Sequence, residues 1–117
     1  MVVPTTIRAE PSGLTWSALA DPHRRAVLEL LREQPRAVGE LVESLGLTQP
    51  GTSKHLRVLR DAGLVTARTE AQRRIYALET RPLAELDAWL APYRQVWECS
   101  LDALERHLDR KAATQKE

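Results

Sequence analysis

Between Val38 and Gly63 the apolar residues fall into two short helical sets only a few residues apart, and few folds accommodate that. Val38, Leu41, Val42 and Leu45 stand at i, i+3, i+4 and i+7, one stripe of a helix. Gly46 follows as the left-handed residue that ends it, and Leu47 is placed to fold back onto its last turn. Thr48 is then the N-cap of the next helix, with Pro50 tolerated in its first turn. Thr52, Leu56 and Leu59 form the inward face of that helix, which stops at Gly63. The spacing predicts a helix-turn-helix.

After Gly63 the apolar period changes to two. Val65, Ala67 and Thr69 alternate with Thr66, Arg68 and Glu70, and Tyr76 and Leu78 alternate with Ile75 and Ala77, across the polar link Ala71–Arg74. A two-stranded hairpin, hence a wing, is predicted. Upstream, Asp21 and Pro22 start a helix whose stripe is Ala26, Val27, Leu30 and Leu31 and which Pro35 ends. Leu14, Trp16 and Leu19 suffice for a short helix before it. Residues 1–13, with Pro4, Pro11 and Gly13, read as a flexible arm.

The last segment holds the longest helix. Leu83, Leu86, Leu90, Tyr93, Trp97, Leu101, Leu104 and Leu108 follow steps of three and four, and Trp89, Val96 and Ala103 make a second stripe beside them. Pro92 inside the pattern predicts either a kink or a short helix followed by a longer one. Residues 110–117 read as a polar, frayed tail, which leaves residues 14–109 as one domain in a chain of 117. With 18 leucines and no phenylalanine, the expected class is mainly α with a β-hairpin wing.

Two adjacent stripes cover about half the circumference of the last helix, more than one small domain can bury. The expectation is a twofold dimer through the first and last helices, with Leu14, Trp16, Leu19, Trp89, Tyr93, Val96, Trp97, Leu101, Leu104 and Leu108 at the interface. Trp89, Tyr93 and Trp97 serve as dimer core or, alternatively, as the wall of a pocket for a small-molecule effector between protomers.

Charge is unevenly placed. The net formal charge is only +1, which excludes a polybasic tail, yet residues 48–74 carry six basic side chains against two acidic ones. Thr48, Gln49, Pro50, Gly51, Ser53, Lys54 and Arg57 lie away from the apolar stripe of the second helix. Gln suits an adenine edge, Lys or Arg a guanine edge or a phosphate, and Ser with the free first-turn N–H groups a phosphate oxygen. Arg68, Arg73 and Arg74 on the hairpin can reach backbone or the minor groove. The pattern predicts a surface for double-stranded DNA.

Other functions find little support. One cysteine, Cys99, excludes an internal disulfide and a Cys-rich zinc site, and it reads as a buried, inert thiol. No apolar run is long enough for a membrane span and no signal peptide is evident, so a cytoplasmic protein is expected. No nucleophile–base pair and no Gly-rich phosphate loop is present, so neither catalysis nor a cofactor is expected. His55 is assigned to packing beside Leu56 and Leu59, and His23 to the surface. Asp102, Glu105, His107 and Asp109 are the only ligand types on the last helix and read as a charged face, with no metal.

The stretches ALADPHRRAVLELL, VGELVESLGLTQPGTSKHLRVLRDAGLV and RRIYAL resemble the ArsR-type winged-helix repressors of bacteria, and the resemblance covers residues 14 to 109. It implies a homodimeric transcriptional repressor whose first and last helices build the interface and whose second motif helix enters the major groove of a palindromic operator. Metal sensors of that family carry cysteines in the helix before the recognition helix, where this chain has VGELVESL. The ending LDAWLAPYRQVWECSLDALERHL resembles the subgroup without metal-sensing residues. Gly51 and Ala71 depart from the family pattern, the first in the recognition helix and the second at a hairpin position that often holds glycine. An architectural or protein-binding winged helix without an operator, and a metal-responsive repressor, are the alternatives.

Overall fold

A computed structural model describes residues 10–115. The elements run α1 (Gly13–Ala20), α2 (Pro22–Glu33), β1 (Arg36–Ala37), α3 (Val38–Leu45), α4 (Gln49–Asp61), β2 (Val65–Glu70), β3 (Arg73–Leu78) and α5 (Arg81–Gln115). The three strands form one antiparallel sheet in the order β1-β3-β2.

Local chemistry sets the helix boundaries. The Ser12 hydroxyl accepts the Thr15 N–H at 3.2 Å and starts α1, and an Asp21 oxygen accepts the His23 N–H at 2.7 Å and starts α2. At the other ends arginines satisfy carbonyls that a helix leaves unpaired. Arg24 donates to Ser17 O and Ala18 O at 2.8 and 2.9 Å, Arg25 to Leu19 O at 2.7 Å, and Arg36 to Leu30 O at 3.1 Å. Gly46, at φ +66, closes α3 through its N–H to Val42 O.

The core lies where α1, α2, α3 and α4 meet the sheet. Val27, Leu41, Leu56, Leu59 and Leu64 are fully buried there, each worth about 1.5–3 kcal/mol relative to exposure. Buried Thr52 donates its hydroxyl to Thr48 O at 2.9 Å, so no polar cost remains. The buried stripe of α2 is Val27, Leu28 and Leu31; Ala26 and Leu30, assigned to it from spacing, are half-buried.

Five expectations change. The sheet has a third strand, because Arg36 and Ala37 pair with Tyr76 and Ile75. Arg73 and Arg74 belong to β3 and not to the link, leaving Ala71 and Gln72 as a two-residue turn. Of the two expectations at Pro92, the split into a short and a longer helix does not hold, since the last helix is one element through it. Proline brings no N–H to the ladder, and the exposed Asp87–Arg94 ion pair spans that gap. That helix also runs past residue 110 to Gln115, since Arg, Lys, Ala and Gln are good helix formers. At the other end, the region assigned to an arm contributes Pro11 to the buried interior and Gly13 to α1, while residues 1–9 lie outside the described residues.

Helix α5 is 35 residues long, about 52 Å at 1.5 Å per residue. It carries the chain out to a radius of gyration of 20.7 Å, against about 13 Å for a compact domain of this length. From Gln95 to Thr114 every residue on it is exposed. Cys99 is therefore exposed, contrary to the expected burial, because no part of its own protomer lies beneath that half of the helix.

Candidate nucleic-acid interface

Helix α4 is held by its inward face, and this decides what it displays. Thr52, Leu56 and Leu59 are buried against the core, so Gln49, Pro50, Ser53, Lys54 and Arg57 all point to solvent. Its start is fixed by Thr48, whose hydroxyl accepts the Gly51 N–H at 3.1 Å. Pro50 has no N–H and that of Gly51 is taken, so in the first turn of α4 the Gln49 N–H is the one left at this helix N-terminus, the end that favours anions.

Arg57 continues into a residue that the spacing argument passed over. Arg60 lies one turn on, and the two line a groove of about 660 Å³ between α4 and β3, whose far wall carries Arg74 and whose lining includes Val38, Leu56 and Tyr76. The side chains of Lys54, Arg57 and Arg60 engage no hydrogen bond or ion pair among the described residues. Arg74 sits over the Tyr76 ring with its guanidinium carbon 5.6 Å from the centroid. The signal that could have found Arg60 was its place at i+3 from Arg57.

The hairpin arginines divide. Register pairs Thr69 with Arg74 and Ala67 with Tyr76, but Arg68 with Ile75 and Glu70 with Arg73. Directly opposed residues share a face of the sheet, so Arg74 looks toward the α4 groove while Arg68 and Arg73 lie on the other face. There Arg68 pairs with Glu70 at 3.4 Å and Arg73 with Glu40 of α3 at 2.5 Å. The structure thus gathers Arg57, Arg60 and Arg74 around one groove, with Lys54 exposed on α4 beside it, and places Arg68 and Arg73 on the other face of the sheet, each beside a carboxylate.

The two histidines form a pair. His23, exposed on α2, and His55, half-buried on α4, have ring centroids 5.6 Å apart. Asp21 stands nearby: partial burial works to raise its carboxyl, but the N–H donors of His23 and Arg24, with the charges of His55 and Arg24, more than offset this. Its pKa lies below the ordinary value.

At the opposite side of the molecule, α1 and α5 present apolar surface. Leu14, Trp16, Tyr93, Val96, Trp97, Leu101, Leu104 and Leu108 are all exposed in the single chain, by 40–67%. Trp16 meets Trp89 edge-on at 5.3 Å, and Trp89 lies 4.9 Å from Tyr93, so the two helices share one aromatic surface. Trp89 is half-buried within the chain, and Leu19 packs against the chain's own core. An exposed apolar surface of this extent marks an interaction site. Asp102, Glu105, His107 and Asp109 are exposed along α5, and among the described residues no three His, Cys, Asp or Glu side chains converge to hold a metal ion. No described helix is long and apolar enough to cross a membrane.

The chain is similar to known proteins across this whole region. The profile of the bacterial regulatory protein arsR family matches residues 21–67. The HTH-type transcriptional regulator Rv2034 of Mycobacterium tuberculosis is 48% identical over 71 residues, 61% of this chain and 66% of that protein. The chain covers 63% and 57% of two other curated relatives. A crystal structure of an ArsR family transcriptional regulator superposes with a TM-score of 0.69 at 34% identity, over 79% of this chain and 97% of the other. A solution structure of the homodimeric winged helix-turn-helix DNA-binding domain Mb0332 from Mycobacterium bovis gives 0.56 at 28% identity, over 77% and 81%.

Proposed function

The chain belongs to the ArsR family of bacterial regulatory proteins, and we propose that it is a cytoplasmic, homodimeric transcriptional repressor that binds a palindromic operator through α4. One observation carries this reading: the outward face of α4 and the groove beside it collect Lys54, Arg57, Arg60 and Arg74 against a single acid, Asp61. Gln49, Ser53 and Lys54 then face base edges and the near phosphates, and Arg57 continues along the same face. Thr48, Pro50 and Gly51 shape the approach of the helix N-terminus. Arg74, Arg68 and Arg73 meet the flanking backbone from the wing.

The apolar surface of α1 and α5 supports the dimer. Pairing two copies through it would cover the exposed leucines and aromatic rings and set the two α4 helices about 34 Å apart, one turn of DNA. An effector between protomers would bind at the Trp89, Tyr93 and Trp97 surface. The ligand types on α3 and α5 support the subgroup without metal-sensing residues.

The test compares affinity for DNA upstream of the protein's own gene with affinity for a random duplex at 150 mM salt. A large ratio that Arg57→Ala or Lys54→Ala reduces, with folding unchanged, is expected. A ratio near one would instead favour an architectural winged helix.

A further inference from the structure

We infer that Glu40 is a positioning residue for DNA contact: it holds Arg73 of the wing away from the phosphate backbone and so keeps one cation per protomer in reserve. This rests on the DNA-binding reading above and revises it at one residue, Arg73, which that reading counts as a contact.

Arg73 opens β3 at the tip of the hairpin, on the face of the sheet opposite Arg74. Its Nη2 donates to Glu40 Oε1 at 2.5 Å, across 33 residues of sequence. Glu40 lies in the first turn of α3, which has no side-chain N-cap because Ala37 occupies that position. An acid there is favourable for the helix whatever it touches, so Glu40 has a local reason to stay in place and await the arginine. The partners are 44% and 61% exposed, and an exposed ion pair adds little stability. A phosphate can therefore compete for Arg73, and Glu40 is what it competes against.

Counter-ions make the competition measurable. A free arginine that meets a phosphate releases a condensed cation from DNA, and each such contact adds about 0.9 to the slope of log affinity against log salt. An arginine held by Glu40 meets no phosphate and releases no counter-ion. The wild-type slope then lacks this contribution.

The experiment measures salt dependence between 50 and 200 mM with an about 30-base-pair mixed-sequence duplex, for the wild type, Glu40→Gln, Arg73→Ala and the double variant. Glutamine at residue 40 retains the first-turn position and removes only the charge. The Glu40→Gln dimer is expected to bind more tightly at low salt with a slope steeper by about 2, so that its affinity falls roughly tenfold more than wild type over that range. In the Arg73→Ala background the same change should alter neither affinity nor slope. A purely structural role for Glu40 would move stability and leave the slope alone. An unchanged Glu40→Gln slope overturns the inference, as does a tightening that persists without Arg73, which would be simple relief of repulsion. A wild type that binds no duplex defeats the DNA-binding reading itself, an outcome distinct from both.

Discussion

The Thr48 hydroxyl accepts the backbone N–H of Gly51 at 3.1 Å, and a Cβ on residue 51 would stand 3.0 Å from the same oxygen. Glycine at residue 51 is thus tied to the cap of α4: it lets the hydroxyl close over the first turn without a contact that alanine would make.

Gly51→Ala consequently sets two effects against each other. Alanine favours a helix by up to about 1 kcal/mol, while the methyl group displaces a cap worth about 1 kcal/mol. Urea unfolding of a double-variant cycle should show Gly51→Ala stabilising the Thr48→Ala background by most of that propensity and the wild type by clearly less. Equal effects in the two backgrounds would show that cap and methyl group are independent.

The turn of the wing is strained. Ala71 has φ +56, alone among the described non-glycine residues in being positive. A left-handed alanine costs about 1–2 kcal/mol, part of which glycine returns through its greater freedom in the unfolded chain. Ala71→Gly should raise stability by about 0.5–1 kcal/mol, read as a higher urea midpoint at constant slope. A lower midpoint would contradict the strained geometry.

A charge in the α5 stripe should separate the protomers. Leu101 and Leu104 are 60% and 53% exposed in the single chain, so Leu101→Glu and Leu104→Glu leave the core of the domain intact. Sedimentation should find monomer for each variant and dimer for the wild type, with α-helix content lower in the variants as the outer half of α5 loses its support. A dimer that survives both charges would place the interface elsewhere.

Asp21 links the start of α2 to acid stability. Because its folded pKa lies below the ordinary 3.8, its contribution is fully present above that value and is lost as pH falls through the lower, folded one. Asn caps a helix about as well but carries no charge. Asp21→Asn should be less stable than wild type at pH 6, with the gap narrowing as the pH is lowered below 3.8. A gap that stays constant into acid would mean that the charge contributes nothing.

Most of the helical layout follows from short-range pattern. The i, i+3, i+4 spacing of Val38 to Leu45, the cap at Thr48 and the stops at Gly46 and Gly63 each involve neighbours within a turn or two, and all appear in the structure where the spacing puts them. The displayed face of α4 follows with them, since burying Thr52, Leu56 and Leu59 leaves Gln49, Ser53, Lys54 and Arg57 no other direction.

What escaped the residue pattern is what depends on distant partners. Two residues, Arg36 and Ala37, make a strand only because β3 lies beside them, and no two-residue segment has a period to read. Counting arginines predicted a basic wing, but strand register sends Arg74 to one face and Arg68 and Arg73 to the other, and a glutamate 33 residues upstream takes the last of these. Arg24, Arg25 and Arg36 likewise add to the charge yet spend their donors on helix-end carbonyls. Periodicity reports which side of an element is apolar, because that preference is local and repeated. Which cation meets which anion is a single event set by how the elements dock, and only the assembled chain contains it.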